Sequence, residues 1–456
     1  MADTIAALST APAKSGVAVI RISGDRSLDI AKRVFRPAYK GKWVPRMMTY
    51  GTLLNSEGIA IDSILGVWFR GPNSYTGEDI VELHCHGSLA VLNTALSTLY
   101  SYGARPAEPG EFTKRAFMNG RLDLSQAEAV GDLIEAVTEE GAVNATAQIQ
   151  GALSRELGRI YDDLTDLLAH FQAVVDYPDE DIEDFGIDNA VSILENAAEQ
   201  LNKLTEGYKR GKVLREGIDC VIIGRPNVGK SSLLNMLVGD ERAIVTPIAG
   251  TTRDIIEAYA KIGGVTLKLR DTAGIRRTDD MIEDIGVDRA IKAAKDASLV
   301  LAVVDGSQPL SDEDRDIMEH AVGKRGILLI NKSDKPQDES LDRDLREWSD
   351  KFIRILKISA KTGQGMDELE AVVNTLYSMG ELRLDGTLIT NARQEGTCKT
   401  AELLLRGAIN NLRYGYPPDM VLYDVEQALM RIGEILGKNT PTDIVDKIFA
   451  NFCVGK

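Results

Sequence analysis

The feature that most constrains the fold is the sequence GRPNVGKS at residues 224–231. It has the form G-x-x-x-x-G-K-S of a phosphate-binding loop, and it lies between an apolar run at 220–223 and the helical spacing of 233–237. Glycines let such a loop place backbone N–H groups around phosphate at a helix N-terminus, where the helix dipole favours anions. The Lys230 ammonium would contact the β- and γ-phosphates, and the Ser231 hydroxyl would bind Mg²⁺. Strand, loop and helix together predict a nucleotide-binding α/β domain.

Length and charge set the broad class of the protein. A chain of 456 residues is too long for one hydrophobic core, so we expect about three domains. The net charge of −16 disfavours strong unaided binding of nucleic acid, but it allows a local basic patch or a partner that supplies positive surface. We expect no secretory signal, because the first residues lack a basic segment and a long apolar run; no apolar run approaches a membrane span, and the four cysteines are scattered. We therefore expect a cytoplasmic protein without membrane association.

Hydrophobic patterning predicts two kinds of domain in residues 1–215 and 381–456. Residues 1–118 combine short strand-like runs with helical spacing, which predicts an N-terminal α+β domain. Long helical stripes occur in 119–215 and return in 381–456, so we expect one discontinuous all-α domain. In its last helix, Thr440 is the expected N-cap, with Pro441 in the first turn.

Residues 216–380 interrupt this helical domain with alternating strands and helices. Such alternation predicts a Ras-like, doubly wound, mostly parallel sheet with its site at the carboxyl ends of the strands. The strand candidates are 219–223, 265–269, 299–304, 326–330 and 352–358.

Four further motifs follow the phosphate loop in the order of a guanine-nucleotide site. They are Thr251-Thr252, Asp271–Gly274, Asn331–Asp334 and Ser359–Lys361. The threonines would complete the Mg²⁺ shell, Asp271 would hold that metal through water, and the Gly274 N–H would sense the γ-phosphate. The Asp334 carboxylate can accept hydrogen bonds from N1–H and the 2-amino group of guanine, and adenine lacks that amino group. Each motif alone is commonly a turn, but all of them in order predict a GTP-binding domain.

We expect three groups of residues to contact GTP. The groups are Asn227, Val228, Gly229, Lys230, Ser231 and Ser232; Thr246, Pro247, Ile248, Ala249, Gly250, Thr251 and Thr252; and Asp271, Thr272, Ala273, Gly274, Asn331, Lys332, Asp334, Ser359, Ala360 and Lys361.

Hydrolysis needs an oriented water and charge neutralisation at the γ-phosphate. Ile275, directly after the DTAG motif, is aliphatic and cannot orient water, so another group must do so. The candidates are Arg276, Arg277, Asp279, Asp280, Glu283 and Asp284, a charge run that is otherwise typical of a solvated surface.

Across its length the chain resembles the bacterial tRNA-modification GTPase family MnmE, also called TrmE. The residues that carry the resemblance are GPNSYTGED at 71–79, PGEFT at 109–113, RAF at 115–117, LDL at 122–124, QAEA at 126–129, GTTRD at 250–254 and FCVGK at 452–456. The resemblance implies an N-terminal domain that binds folate and forms a homodimer, a helical domain and an inserted K⁺-dependent GTPase. It also implies joint action with an FAD-dependent MnmG-type partner, as a heterotetramer. Together they would form a carboxymethylaminomethyl-type group on C5 of the wobble uridine, U34, of certain tRNAs.

The resemblance also implies roles for individual residues. In that family K⁺ takes the role of an arginine finger, and dimerisation of the G domains completes the site. The implied K⁺ ligands are Asn227, Thr246, Ile248 and Thr251, the Mg²⁺ ligands are Ser231 and Thr252, and the catalytic, water-orienting carboxylate is Glu283. The implied contacts to 5-formyl-tetrahydrofolate are Arg21, Glu82, Arg121 and Lys456, which without the resemblance would be read as surface ion pairs.

Two cysteine-containing segments are candidates for thiol or metal chemistry. For Cys453, on a C-terminal tail that we expect to be mobile, two hypotheses stay open: a functional thiol near folate, or a half-buried small hydrophobic residue. His84-Cys85-His86 does not predict a zinc site, because neighbouring strand residues point to opposite faces and no second ligand cluster accompanies them.

Two alternative functions share the nucleotide motifs. A regulatory GTPase that times ribosome or RNA-complex assembly would call for a basic RNA-binding module, which the acidic composition disfavours. A folate-dependent one-carbon transferase regulated by GTP would form its product without a flavoprotein partner.

Overall fold

The structure is a computed structural model that describes residues 3–39, 41, 43–176, 187–239, 258–262, 265–269, 294–295, 297–377, 385–416 and 418–456. Internal contacts divide the chain into two units. The outer unit comprises Met1–Ile134, Asn144–Glu206 and Asp385–Lys456, and the inserted unit comprises Glu135–Val143 and Gly207–Leu384. None of the described helices is both long enough and apolar enough to cross a lipid bilayer.

The outer unit begins with a seven-stranded sheet. Its strands are β1 (Ile5–Leu8), β2 (Ser15–Ser23), β3 (Phe35–Pro37), β4 (Thr49–Leu54), β5 (Ala60–Phe69), β6 (Ile80–Gly87) and β7 (Arg105–Pro106). The strand order is β3-β4-β5-β6-β2-β1-β7, and every pair is antiparallel except β1 with β7. Alternating apolar residues of β2 and β6 pack in one core with α1 (Ser27–Val34) and α2 (Leu89–Ser101). The predicted N-terminal α+β fold is confirmed.

Five described helices follow before the main segment of the inserted unit, which begins at Gly207. They are α3 (Glu111–Met118), α4 (Leu124–Glu135), α5 (Glu139–Ile149), α6 (Ala152–Asp176) and α7 (Ile187–Glu206). In α6 the buried residues recur every three or four positions, from Leu153 to Leu167, which directs one face of the helix into a core.

The inserted unit is a six-stranded sheet with helices on both faces. Its helices are α8 (Tyr208–Glu216), α9 (Lys230–Val238), α10 (Asp312–Glu319), α11 (Leu341–Asp344) and α12 (Met366–Tyr377). Its strands are β8 (Ile218–Ile223), β9 (Ala258–Ile262), β10 (Val265–Leu269), β11 (Leu299–Asp305), β12 (Gly326–Asn331) and β13 (Arg354–Lys357). The order is β13-β12-β11-β8-β10-β9, and only β9 runs antiparallel to its neighbour. β11 and β12 are buried throughout because apolar clusters cover both faces.

The chain then returns to the outer unit, where the structure describes three helices. They are α13 (Ala392–Arg413), α14 (Pro418–Leu436) and α15 (Thr442–Ala450). α13 packs against α7 and α14, and α14 packs against α6, so helices from both sides of the insertion form one discontinuous helical domain, as predicted. Buried Glu128 of α4 joins the two halves, because it accepts hydrogen bonds from Arg393 at 2.7 Å and Gln394 at 2.6 Å.

The sequence interpretation missed several short strands. It omitted β1, β3, β4, β7 and β9, and it placed a seven-residue strand at 352–358 where β13 covers only Arg354–Lys357. β1 and β9 are rich in alanine, which has low β-propensity, so their pairing depends on neighbouring strands rather than on local preference. The N-cap prediction for Thr440 is wrong. Helix α15 begins at Thr442, and the Thr440 hydroxyl instead donates to the Glu434 carbonyl at 2.9 Å. The predicted domain boundaries remain a proposal.

Candidate nucleotide-binding site

The phosphate loop is a tight turn between β8 and α9. Gly224 has φ of +156°, and a Cβ there would lie 2.4 Å from the Val303 carbonyl oxygen, so only glycine allows the loop to approach β11 this closely. Asn227, at the exposed crest of the loop, also has a positive φ, of +64°. Helix α9 begins at Lys230, so its first backbone N–H groups lie at the loop. This geometry suits the binding of an anion.

The Lys230 ammonium lies within the same loop. It donates to the carbonyl oxygens of Gly224 at 2.9 Å and Arg225 at 2.6 Å. Ser231 and Ser232, in the first turn of α9, are exposed. A cation and two accessible hydroxyls therefore stand where the loop would receive phosphate and its metal ion.

Asn331 ties the phosphate loop to the end of the sheet. Its side chain is 1% exposed, its Nδ2 donates to the Val228 carbonyl at 2.8 Å, and its Oδ1 accepts from the Ala360 N–H at 2.9 Å. Gly229 must be glycine here, because it has φ of +102° and a Cβ would lie 2.2 Å from Asn331 Nδ2. The structure thus brings together three of the motifs that the sequence places far apart.

Asp334 is held by buried Ser359. The Ser359 hydroxyl donates to Asp334 Oδ1 at 2.7 Å and accepts from the N–H groups of Lys361 at 3.3 Å and Thr362 at 3.2 Å. The hydrogen bond from Ser359 lowers the pKa of the Asp334 carboxyl below its ordinary value. An ionised carboxylate accepts hydrogen bonds only, which matches the two donors on the edge of guanine.

Lys332 and Asp305 form a contact that the sequence interpretation missed. Lys332 Nζ lies 2.6 Å from Asp305 Oδ2 and donates to the Asn227 carbonyl at 2.9 Å. Burial opposes ionisation of Asp305, but hydrogen bonds from Lys332 and Ser307 outweigh it and lower the pKa of the carboxyl. Lys332 has φ of +66°, a conformation that costs a non-glycine residue about 1–2 kcal/mol. The only sequence signal was the aspartate that ends the apolar strand β11.

In the outer unit, Arg21 and Glu82 face each other across β2 and β6. The two side chains form a salt bridge, with Arg21 Nη2 2.8 Å from Glu82 Oε1. The Arg21 guanidinium also lies 5.6 Å from the ring centroids of both Tyr75 and Phe112. Lys456 reaches this neighbourhood through its main chain, since its carbonyl accepts from the Phe112 N–H at 3.0 Å. Arg121 is exposed and lies against the turn at Gly77.

The C-terminal tail is bound to the N-terminal part of the chain rather than free. The Gly110 N–H donates to the Cys453 carbonyl at 3.3 Å, and Val454 forms a β-bridge with Pro109. The expectation of a mobile tail is therefore wrong, because backbone hydrogen bonds fix it. The Cys453 side chain is exposed, so the half-buried alternative is also wrong for this chain.

Comparisons with known proteins decide the family. A family model described as "MnmE helical domain" matches residues 124–453, and another, "GTP-binding protein TrmE N-terminus", matches residues 4–121. Curated proteins named "tRNA modification GTPase MnmE" from Natranaerobius thermophilus and Clostridioides difficile are 43% and 41% identical, over 100% of this chain and 99% of their own. The chain belongs to the MnmE family of tRNA modification GTPases. A solved structure of Aquifex aeolicus Era bound to GDP·AlF4− aligns with 41% of this chain and 66% of its own, at 28% identity and a TM-score of 0.28.

Several predicted residues lie outside the part of the chain that the structure describes. They are Thr246–Thr252, Asp271–Gly274, and the charged residues Arg276, Arg277, Asp279, Asp280, Glu283 and Asp284. Of the predicted K⁺ ligands only Asn227 is described, and of the predicted Mg²⁺ ligands only Ser231. Their assignments in this MnmE-family chain therefore remain predictions.

The histidines of β6 have carboxylate neighbours. His86 Nδ1 lies 2.7 Å from Asp62 Oδ1, and His84 Nε2 lies 3.6 Å from Glu82 Oε2. Across the described ranges, no group of three histidine, cysteine or acidic residues is arranged to hold a metal ion.

Proposed function

We propose that this MnmE-family GTPase uses GTP hydrolysis to form a carboxymethylaminomethyl-type group on C5 of wobble uridine U34 in certain tRNAs. It would do so as a cytoplasmic homodimer with an FAD-dependent MnmG-type partner. The observation that carries the proposal is the hydrogen-bonded arrangement of Asn331, Asp334 and Ser359, which suits guanine, in a chain of this family. The full-length similarity to tRNA modification GTPases favours this function over a ribosome-assembly switch.

The nucleotide site assigns separate tasks to its residues. The N–H groups of the phosphate loop and Lys230 would bind the phosphates, while Asp334 would read the base. Oxygen donors suit hard cations, so Ser231 with Thr252 would hold Mg²⁺, and exposed Asn227, with Thr246, Ile248 and Thr251, would hold K⁺. These ions supply positive charge that offsets the charge developing on the γ-phosphate. Glu283 would orient the attacking water.

The ion and carboxylate assignments have direct tests. We expect GTP turnover at saturating Mg²⁺ to be several-fold faster in KCl than in NaCl of equal ionic strength, and equal rates would remove the K⁺ site. A Glu283→Ala variant should bind GTP normally and hydrolyse it slowly, since general acid–base groups typically contribute about 10²–10⁴-fold. Wild-type turnover by that variant would remove the role of Glu283.

We propose that the outer unit binds 5-formyl-tetrahydrofolate or a related folate through Arg21, Glu82, Arg121 and Lys456. The site fits such a ligand, because a carboxylate and a guanidinium stand partly exposed beside two aromatic rings. Exposed Cys453 would act as a thiol near that folate. Failure of the full-length protein to bind labelled formyl-folate would remove the folate site, and full tRNA modification by a Cys453→Ser variant in cells would remove the thiol role.

The function itself is tested by nucleoside analysis of tRNA from cells that lack this protein. The proposal predicts unmodified uridine at the wobble position of a subset of tRNAs, restored by the wild-type gene. An assembly-factor role predicts unchanged wobble nucleosides and altered ribosomal particles. A one-carbon transferase that needs no flavoprotein would form the modified nucleoside from purified protein alone.

A further inference from the structure

The inserted unit carries a basic cavity at the amino-terminal edge of its sheet. The cavity has a volume of about 550 Å³ and lies where α8, the starts of β8 and β11, and the end of α12 meet. Its charged lining comprises four cationic and two acidic residues: Lys209, Arg210, Lys212, Arg325, Glu216 and Asp219. In a chain of net charge −16, this excess of positive charge is a local exception.

Most of these cations have no carboxylate partner within the described part of the chain. Lys209, Arg210 and Lys212 are exposed and form no ion pair with any residue that the structure describes. Of the two acids, Glu216 lies 3.5 Å from Arg215, which offsets its charge. Asp219 is the second acid in the lining of the cavity.

The opposite wall extends the positive surface. Arg325 is exposed, and its guanidinium lies 5.1 Å from the centroid of the Tyr377 ring. Its neighbour Lys324 is also exposed, and its ammonium bonds to the carbonyl of Lys295. Cations therefore stand on both α8 and the segment before β12.

We propose that this surface binds the phosphate backbone of tRNA, an inference that rests on tRNA being the substrate of the proposed function. Lys209 and Lys212 are three residues apart on a helix, where the Cβ atoms of such a pair lie about 5–6 Å from each other, so both ammonium groups can reach neighbouring phosphates of one strand. Cations that neutralise phosphates release counterions, and this release drives the binding. A row of separate cations on two walls fits a polyanion better than a single small anion.

The position of the surface leaves the nucleotide site free. The phosphate loop follows the carboxyl end of β8, whereas the cavity lies at its amino end. RNA and GTP therefore bind at opposite edges of one sheet, and neither blocks the other.

The test measures binding of a transcribed tRNA with uridine at position 34 to the full-length protein across a salt series. The variant is Lys209→Gln/Arg210→Gln/Lys212→Gln. A matched control, Arg159→Gln/Lys203→Gln/Lys399→Gln, removes the same charge from exposed positions on helices of the outer unit. We expect the first variant to bind at least about tenfold more weakly at low salt, and the slope of log affinity against log salt to fall by about 2–3. The control should bind like the wild type, and both variants should keep wild-type GTP turnover.

Three results would overturn the proposal. The first is no binding of tRNA by the wild type at low salt, and the second is equal losses in the variant and the control. The third is displacement of tRNA by mononucleotides at the same phosphate concentration, which would indicate a site for small anions. All three leave the proposed function standing, because that function is judged separately from the wobble nucleosides of deletion cells.

Discussion

Asp305 ends the buried strand β11 and binds the ammonium of Lys332 at a distance of 2.6 Å. The same ammonium donates to the Asn227 carbonyl in the phosphate loop. The Asp305 carboxylate, which is 4% exposed, therefore orients a lysine that connects the segment Asn331–Asp334 to the phosphate loop. We propose that Asp305 acts through Lys332 as a positioning residue for nucleotide binding.

An Asp305→Asn variant tests this role. The asparagine side chain has the same shape as aspartate, and its oxygen can still accept the hydrogen bonds from Ser307. It lacks the negative charge that holds the Lys332 ammonium. Hydrogen bonds to charged groups contribute about 1.5–3 kcal/mol, so we expect GTP and GDP to bind about 10–100-fold more weakly. Nucleotide titration checks this, with Asp316→Asn, an exposed acid on α10, as the control. Unchanged affinities in both variants would contradict the positioning role.

At the scale of elements, the phosphate loop that follows β8 packs directly against the end of β12. Gly229 and Asn331 are in contact only because Gly229 has no side chain. The conformation of the phosphate loop and the position of Asn331 therefore depend on each other.

A Gly229→Ala variant should lose nucleotide binding by more than about tenfold, because its Cβ would displace the amide that bonds Val228. Gly323→Ala is the matched control. That glycine has φ of +76° and nothing within 4 Å of its Cβ position, so this variant has the backbone strain without the clash. The control should lose about 1 kcal/mol of stability and keep its affinity. Equal affinities in both variants would show that the close approach has no role in binding.

In the outer unit, Glu111 of α3 joins β7 to its own helix. It accepts from Arg105 at 2.6 Å and Arg115 at 3.0 Å. Burial alone would raise the pKa of Glu111, but the hydrogen bonds from Arg105, Glu108 and Arg115 hold it below its ordinary value of 4.5. A carboxyl whose pKa is lower in the folded state than in the unfolded state stabilises the fold fully at pH values above its unfolded pKa. This contribution is lost as the pH falls from the unfolded pKa through the folded pKa.

The free energy of unfolding of a Glu111→Gln variant should therefore be about 2 kcal/mol lower than that of the wild type at pH 7. This is less than for a fully buried ion pair, because water screens the partly exposed Arg105. Its melting temperature should approach that of the wild type as pH falls below 4.5. Calorimetry at a series of pH values measures this, with Glu57→Gln on an exposed turn as the control. A difference that stays constant down to pH 3 would contradict the ionic origin of the effect.

Local signals explain what could be predicted from the sequence. The long helices α6 and α13 and the buried strands β11 and β12 have strong periodicity or continuous apolar character, and all four were recognised. The strands β1 and β9 were missed because alanine has low β-propensity, so their own sequences carry little strand signal; pairing with neighbouring strands stabilises them instead. The link from Asp305 to Lys332 spans 27 positions, and the bridge from Pro109 to Val454 spans most of the chain. No local pattern reports contacts of that kind.

At the scale of the whole molecule, the proposed guanine site and the proposed RNA-binding surface lie at different edges of the inserted sheet. The chain is acidic overall, and its basic cavity is local. We propose that binding of a guanine nucleotide through Asp334 is required for modification of the wobble uridine.

The most direct test replaces the only gene copy in cells with an Asp334→Asn variant and measures wobble nucleosides in tRNA. Asparagine keeps the hydrogen bond with Ser359 but presents an amide N–H₂ toward the guanine amino group, and two donors repel each other. We predict that the wild type, expressed at equal abundance, restores the modified nucleoside and that Asp334→Asn leaves wobble uridine unmodified. Full restoration by Asp334→Asn would contradict the claim.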